Sequence, residues 1–228
     1  MKYTEFETIM SSDRLNRYRQ ACGGNTRKAM TLYRRNLKLS QEFFTIISCF
    51  EVALRNAINV HYITHFGNQW LFHAAQQGGF FDTTRTRVTR NIINQTISDL
   101  AANYTHPKLV ASLGFGFWRY LFATNQFRAG GQNLLRVFPN KPPSTPQVQY
   151  NANYVFSELQ KINDIRNRIA HHEPICFQPG QPVIDTTYVK EHYNIIVTLF
   201  QWMDIDERDL LYGLDHIDTV IDQVDNLL

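Results

Sequence analysis

The sequence predicts an all-α fold, a bundle of helices, and three observations carry that reading. Apolar residues recur at the three-and-four spacing of a helix in the long segments. No segment alternates convincingly at the two-residue period of a strand, and no internal repeat is present. Glycine and proline fall between the long helical stretches and punctuate them.

The elements follow in order. Ser11 or Ser12 can cap a first helix carrying Leu15, Tyr18 and Ala21-Cys22, which Gly23-Gly24 ends. Residues 26–66 lack glycine and proline, and Ser40 ahead of Glu42–Phe44 reads as a new helix start. Two helices are therefore expected, at 25–37 and 40–66. After the loop at Gly78-Gly79, a helix at 84–103 sets Val88, Ile92, Ile93, Ile97 and Leu100 against Arg85, Arg87, Arg90 and Asn94. The aromatic stretch 113–122 reads as a short buried helix. Four prolines in 139–146 exclude regular structure there. A helix at 147–172 follows, and Pro174 disfavours helical geometry at Glu173. Pro174, Pro179 and Pro182 keep 173–184 irregular, and helices at 186–203, 206–213 and 214–227 complete the reading.

A length of 228 residues suits one domain with a full core, with the basic N-terminal helices at 1–38 packed on a bundle. Hydrophobic content of 43% and charged content of 19% are those of a globular chain. The net charge is only +3, but its distribution is uneven. Arg14, Arg17, Arg19, Arg27, Lys28, Arg34, Arg35 and Lys38 face one acid, Asp13, within 13–38, whereas residues 204–226 hold eight acids and one arginine. Three widely spaced cysteines suggest neither a disulfide framework nor a zinc knuckle. The N-terminus has no apolar leader, and no run of about 18 apolar residues occurs. The expectation is a cytoplasmic protein with no membrane partner.

Two polar constellations carry chemistry. Arg166-Asn167-Arg168-Ile169-Ala170-His171-His172-Glu173-Pro174 concentrates guanidinium, amide, imidazole and carboxylate groups at a helix end. At about 100° per residue, Val155, Leu159, Ile162 and Ile169 share a core face, with Ile165 on its flank. Asn167 stacks under His171 on one side, and Arg168 under His172 on the adjoining side. An arginine grips a phosphate while a histidine takes and returns a proton near neutral pH. That combination suits cleavage of an RNA phosphodiester and requires no metal or cofactor. The bland alternative is that these groups only hydrogen-bond the last carbonyls of a helix or pair with nearby charges.

The second constellation lies on the apolar helix 40–66, where Ser48, Glu51, Arg55, Asn59 and Tyr62 form a polar stripe. A helix this apolar is usually buried, and charges in a core must be paired or used. Glu51 and Arg55 form a structural i, i+4 ion pair in one reading and complete a polar pocket with 166–172 in the other. Other signals are weaker. Arg85, Arg87 and Arg90 fit a solvated face, and Phe115, Phe117, Trp118, Tyr120 and Phe122 fit core. His61 and His65 sit at i, i+4 but lack the carboxylate of a zinc-protease helix between them.

With these residues in place, the chain resembles the Abi-like (AbiD/AbiF) abortive-infection proteins. RNRIAHHEPI at 166–175 looks like their signature, and DRLNRY at 13–18, AMTLYRRNLKLS at 29–40, FEVALRNAINVHY at 50–62 and GFGFWRYLF at 114–122 agree with it. The resemblance covers nearly the whole chain. That family is similar to the HEPN superfamily, whose signature is an arginine, usually a polar residue next, and a histidine after four to six intervening residues. Arg166, Asn167 and His171 fit it, as does Arg166 with His172. Arg55-Asn56 to His61 looks like a second copy, but a wheel sets Arg55 and His61 about 120° apart, so only Arg55, with Glu51, is carried over.

The resemblance implies a HEPN-type bundle with additional helices, and metal-independent endoribonuclease activity leaving 2′,3′-cyclic phosphate and 5′-hydroxyl ends. It implies an anti-phage toxin whose RNA cleavage arrests growth, a homodimer with a composite site, and restraint by a structured non-coding RNA. Arg166, Asn167 and His171 would catalyse, supported by His172, Glu51 and Arg55. Arg14, Arg17, Arg34, Arg35, Lys38 and Arg168 would hold RNA phosphates. Two other functions compete with this one: a non-catalytic RNA-binding module whose RNA complex is the functional unit, and a helical scaffold for protein contacts.

Overall fold

Helix formation starts earlier than the sequence predicts. In the computed structural model, which describes residues 1–227, α1 (Tyr3–Met10) precedes α2 (Ser12–Ala21). Their joint is Ser11, at φ +70°, whose Oγ accepts the Arg14 amide at 3.3 Å and so caps α2. Gly23 and Gly24 turn the chain at φ +58° and +84°. Asn25 then opens α3 (Thr26–Phe66), its Oδ1 accepting the Lys28 amide at 3.0 Å.

α3 is a single helix of 41 residues, where two were expected. A serine starts a helix only if its own backbone leaves helical geometry, and nothing at Ser40 forces that. Its neighbours Leu37, Lys38, Leu39, Gln41 and Glu42 are good helix formers, so running through costs only a few tenths of a kcal/mol. α3 is the one helix among the described residues that is long and apolar enough, by length and composition, to cross a membrane. It is not buried all round, as its composition implied: Leu32, Leu39, Phe43, Ile46, Phe50, Leu54 and Ile58 are buried, whereas Phe44, Val52 and Val60 are exposed.

The remaining helices are α4 (Trp70–Ala75), α5 (Arg87–Leu100), α6 (His106–Ser112), α7 (Phe115–Tyr120), α8 (Thr124–Ala129), α9 (Ala152–Ala170), α10 (Thr187–Trp202), α11 (Glu207–Leu210) and α12 (Ile217–Asp225). The expected helix at 84–103 is α-helical only in its middle, with 3₁₀ turns at Thr84–Thr86 and Ala101–Asn103. α9 starts at Ala152 rather than 147, because a turn closed by Thr145 and Val148 occupies the preceding residues and Asn151 caps the helix through Tyr154 N at 3.1 Å. Apart from one antiparallel bridge, Phe177 to Ile184, the described residues form no strand. The fold is all-α, as predicted.

Contacts divide the chain into two compact units. Unit 1 comprises Met1–Ser48, Asp164–Val197 and the stretch from Glu207 onward. Its core interlocks aromatic rings edge to face: Phe6 on Tyr33 (5.4 Å), Tyr33 on Tyr18 (5.1 Å) and Tyr18 on Phe177 (5.0 Å). These contacts tie α1, α2 and α3 to the irregular segment after α9. Each ring so buried stabilises by about 1.5–3 kcal/mol, with a further contribution from the ring geometry.

Unit 2 comprises Cys49–Asn163 and Thr198–Asp206. Trp70, Trp118, Phe50, Phe81, Phe122 and Phe200 are fully buried in it. The predicted aromatic core of 115–122 is present except for Tyr120, which is exposed. Asn59 organises its polar interior, its Oδ1 receiving both Trp70 Nε1 and His106 Nε2 at 2.9 Å.

Candidate active site

The last turn of α9 sets its polar groups by what the helix must bury. Ile165 is fully buried and Ile169 half-buried, so Arg166, Asn167 and Arg168 lie off the core stripe and are half-buried. His171 and His172 are exposed. The His171 amide still closes a helical hydrogen bond to Asn167 O (2.9 Å), one turn back, as the wheel placed it.

The helix then ends in a paired-bond turn. The His172 amide donates to Ile169 O at 2.9 Å and the Glu173 amide to Arg168 O at 2.8 Å, which satisfies carbonyls that a helix end otherwise orphans. That turn needs a left-handed residue, usually glycine, and His172 fills it at φ +57°. A side chain in that conformation costs roughly 1–2 kcal/mol. The expected helix to 172 therefore stops at Ala170, and His172 belongs to the turn.

Side chains from unit 1 hold this turn. Arg14 Nη1 donates to His172 O at 2.8 Å. Arg168 Nη2 donates to Pro174 O at 2.7 Å, its Nε lies 3.4 Å from a Glu173 carboxylate oxygen, and its guanidinium stacks on Tyr188 at 4.7 Å. Arg17 donates to Gln181 O (2.9 and 2.7 Å) and Gln178 O (2.5 Å) while lying over the Phe177 ring at 4.8 Å. Asn36 Oδ1 accepts the buried amides of Ile175 (2.9 Å) and Cys176 (3.3 Å). Burial pushes the neighbouring Cys176 thiol up to about 12.

The structure thus brings Arg14, Arg17, Arg166, Asn167, Arg168, His171 and His172 into one unit. Arg14, Arg17 and Arg168, expected to meet RNA phosphates, hold backbone carbonyls. Lys38 pairs with Glu42 at 2.6 Å, and His216 Nδ1 lies 3.6 Å from that carboxylate. Arg35 donates to Gln223 O, and Arg34 lies over Phe6 at 5.2 Å. Arg166 keeps its Nε buried without a hydrogen-bond partner.

Glu51 and Arg55 lie in unit 2, both half-buried. Among the described residues the i, i+4 ion pair between them does not form, and Arg55 Nε is buried without a partner. Asn59 is a structural member of the stripe, and Tyr62 buries a hydroxyl with no hydrogen-bond partner. His61 bonds Asn133 Oδ1 at 2.9 Å, and His65 Nδ1 bonds His61 O at 2.7 Å. Among the described residues no group of three or more His, Cys, Asp or Glu side chains is placed to hold a metal ion.

Sequence reasoning missed Asn36 and Tyr188. Asn36 carried a signal: it interrupts the apolar series Ala29, Leu32, Tyr33, Leu39 and Phe43 at helical spacing, and a polar group on a buried stripe needs partners. Tyr188 carried none, since its partner Arg168 lies on another helix.

The sequence profile of the family described as Abi-like protein matches residues 2–176. No curated protein and no solved structure matches the chain.

Proposed function

Since the chain belongs to the Abi-like protein family, which supports a role in abortive infection, we propose that it acts there as a metal-independent endoribonuclease of HEPN type. One observation carries the reading. Two exposed histidines sit at a turn whose backbone is fixed by Arg14, Arg168 and Asn36, beside an arginine with an unsatisfied buried donor. A structural helix end has no need of a histidine in a glycine position, and strain of that kind collects at functional sites.

In the proposed reaction a ribose 2′-hydroxyl attacks the adjacent phosphorus. His171 accepts the 2′-proton, and the P–O5′ bond breaks as the new P–O2′ bond forms. The departing 5′-oxygen takes a proton from His172, leaving a 2′,3′-cyclic phosphate and a 5′-hydroxyl. Arg166 neutralises charge on the phosphoryl oxygens, and Asn167 positions the phosphate. The functional form we propose is a cytoplasmic homodimer restrained by a structured non-coding RNA, with Arg34 and Arg35 adding phosphate contacts.

The test is cleavage of total RNA in EDTA by the wild type and by His171→Ala. The expected result is 2′,3′-cyclic ends from the wild type and their loss from a variant of unchanged circular dichroism. Undiminished cleavage by His171→Ala overturns the assignment. RNA bound but left intact by the wild type turns the reading to a non-catalytic RNA-binding module.

A further inference from the structure

Unit 2 contains a cavity of about 880 Å³ that the ribonuclease reading does not use. Val88 and Ile92 of α5 line it and are 68% and 43% exposed. The sequence pattern puts both on the core stripe of that helix, so two side chains of core type border open space. α7 and α9 add Tyr120 and Phe156, with ring centroids 5.5 Å apart. Arg119, only 7% exposed, lies over both rings at 4.9 and 4.7 Å and hydrogen-bonds Gln160. Arg85 brings a second guanidinium to the wall.

The chemistry of this lining is selective. The described residues around the cavity include two arginines and no carboxylate, which favours an anion. Exposed Tyr120, backed by Phe156 and a stacked guanidinium, favours a planar π system. Gln126, fixed by Thr89 (3.0 Å), and Asn153, fixed by Thr124 (3.1 Å), offer oriented amides to a hydrogen-bonding edge. A nucleotide combines anion, flat ring and polar edge, and the volume lies within the range of roughly 300–1,000 Å³ common for ligand sites.

We propose that this cavity binds a nucleotide, its base stacked on Tyr120 and its phosphate directed to Arg85. The nucleotide is either free or one unit of a single-stranded RNA. This site lies outside the proposed catalytic turn and does not depend on cleavage.

The experiment is calorimetric titration of the full chain, in EDTA, with adenosine 5′-monophosphate and separately with a fully 2′-O-methylated oligoadenylate, neither of which 2′-hydroxyl chemistry can cleave. At least one probe is expected to bind one site per chain. Tyr120→Ala is expected to weaken that binding by roughly tenfold or more, Tyr120→Phe to restore it, and Arg85→Glu to weaken it. Binding of the monophosphate assigns a free nucleotide, whereas binding of the oligonucleotide alone assigns a strand. Both substituted residues are exposed, and unchanged thermal melting confirms that the variants fold. Wild type binding neither probe, or binding that survives both Tyr120→Ala and Arg85→Glu, overturns the proposal. A chain that binds a nucleotide but cleaves no RNA leaves this site standing and removes only the ribonuclease.

Discussion

Arg14 and His172 are 158 residues apart in the chain, yet the Arg14 guanidinium donates to the His172 carbonyl at 2.8 Å. A left-handed turn that glycine would adopt freely is thus held by a side chain from α2. Arg14→Ala is expected to lower RNA cleavage by roughly ten- to a hundredfold, since small displacements of reacting groups are costly. The melting temperature should fall by no more than a few degrees, because the contact is exposed. Initial rates and melting curves on one preparation check both.

His172→Gly separates strain from chemistry. Removing the side chain at φ +57° relieves roughly 1–2 kcal/mol, offset in part by the greater entropy of glycine in the unfolded chain. Urea denaturation should show a net gain of about 0.5 kcal/mol, while cleavage falls. A loss of stability would show that the His172 side chain supports the fold.

Asn36→Leu strands two buried amides, Ile175 N and Cys176 N. The expected loss is about 2–6 kcal/mol, at roughly 1–3 kcal/mol for each unsatisfied group. Urea denaturation measures it, and cleavage should fall with the loss of order at 173–176.

Gly130 and Tyr62 form a coupled pair in unit 2. A Cβ at residue 130 would meet the Tyr62 hydroxyl at 2.3 Å, so Gly130→Ala should cost about 1–3 kcal/mol by overpacking. Tyr62→Phe removes the closer obstacle, leaving ring Cζ at 3.2 Å, together with a buried hydroxyl without a partner, and should be neutral or stabilising. The double variant should recover most of the single loss, giving a clear coupling term in a double-mutant cycle.

Stability should fall on mild acidification. Burial lowers the pKa of His106 and of His61 below the ordinary 6.5. Between each lowered value and 6.5 the unfolded chain binds a proton that the folded chain does not, so stability rises with pH in that window. It is fully present above 6.5 and is lost as pH falls toward the folded values. His106→Gln should flatten the decline, measured as urea midpoints from pH 7.5 to about 5.

Much of this organisation was legible in the sequence. Helical spacing located the core faces of α3 and α9, and Pro174 marked where α9 must yield. What escaped was contact over long sequence distance. Nothing near Arg17 in the chain announces that its donors reach Gln178 and Gln181, so a basic cluster read as an RNA surface included side chains engaged inside the fold. Ser40 misled for a local reason, because a capping residue flanked by helix formers does not start a helix. Val88 and Ile92 misled in the other direction, since these two members of an apolar stripe line a cavity while Ile93 is buried.

The order in which the parts are synthesised has a consequence. A ribosome adding 5–20 residues per second emits Arg14 roughly 8–30 s before His172. Until the distal segment emerges, the α2 arginines have no carbonyls to hold and Asn36 has no amides to receive. If this turn is the cutting edge of a ribonuclease, the nascent chain is harmless to the RNA of the machine making it. On that reading the hazard would begin only after the segment around His172 has emerged and closed on Arg14 and Asn36.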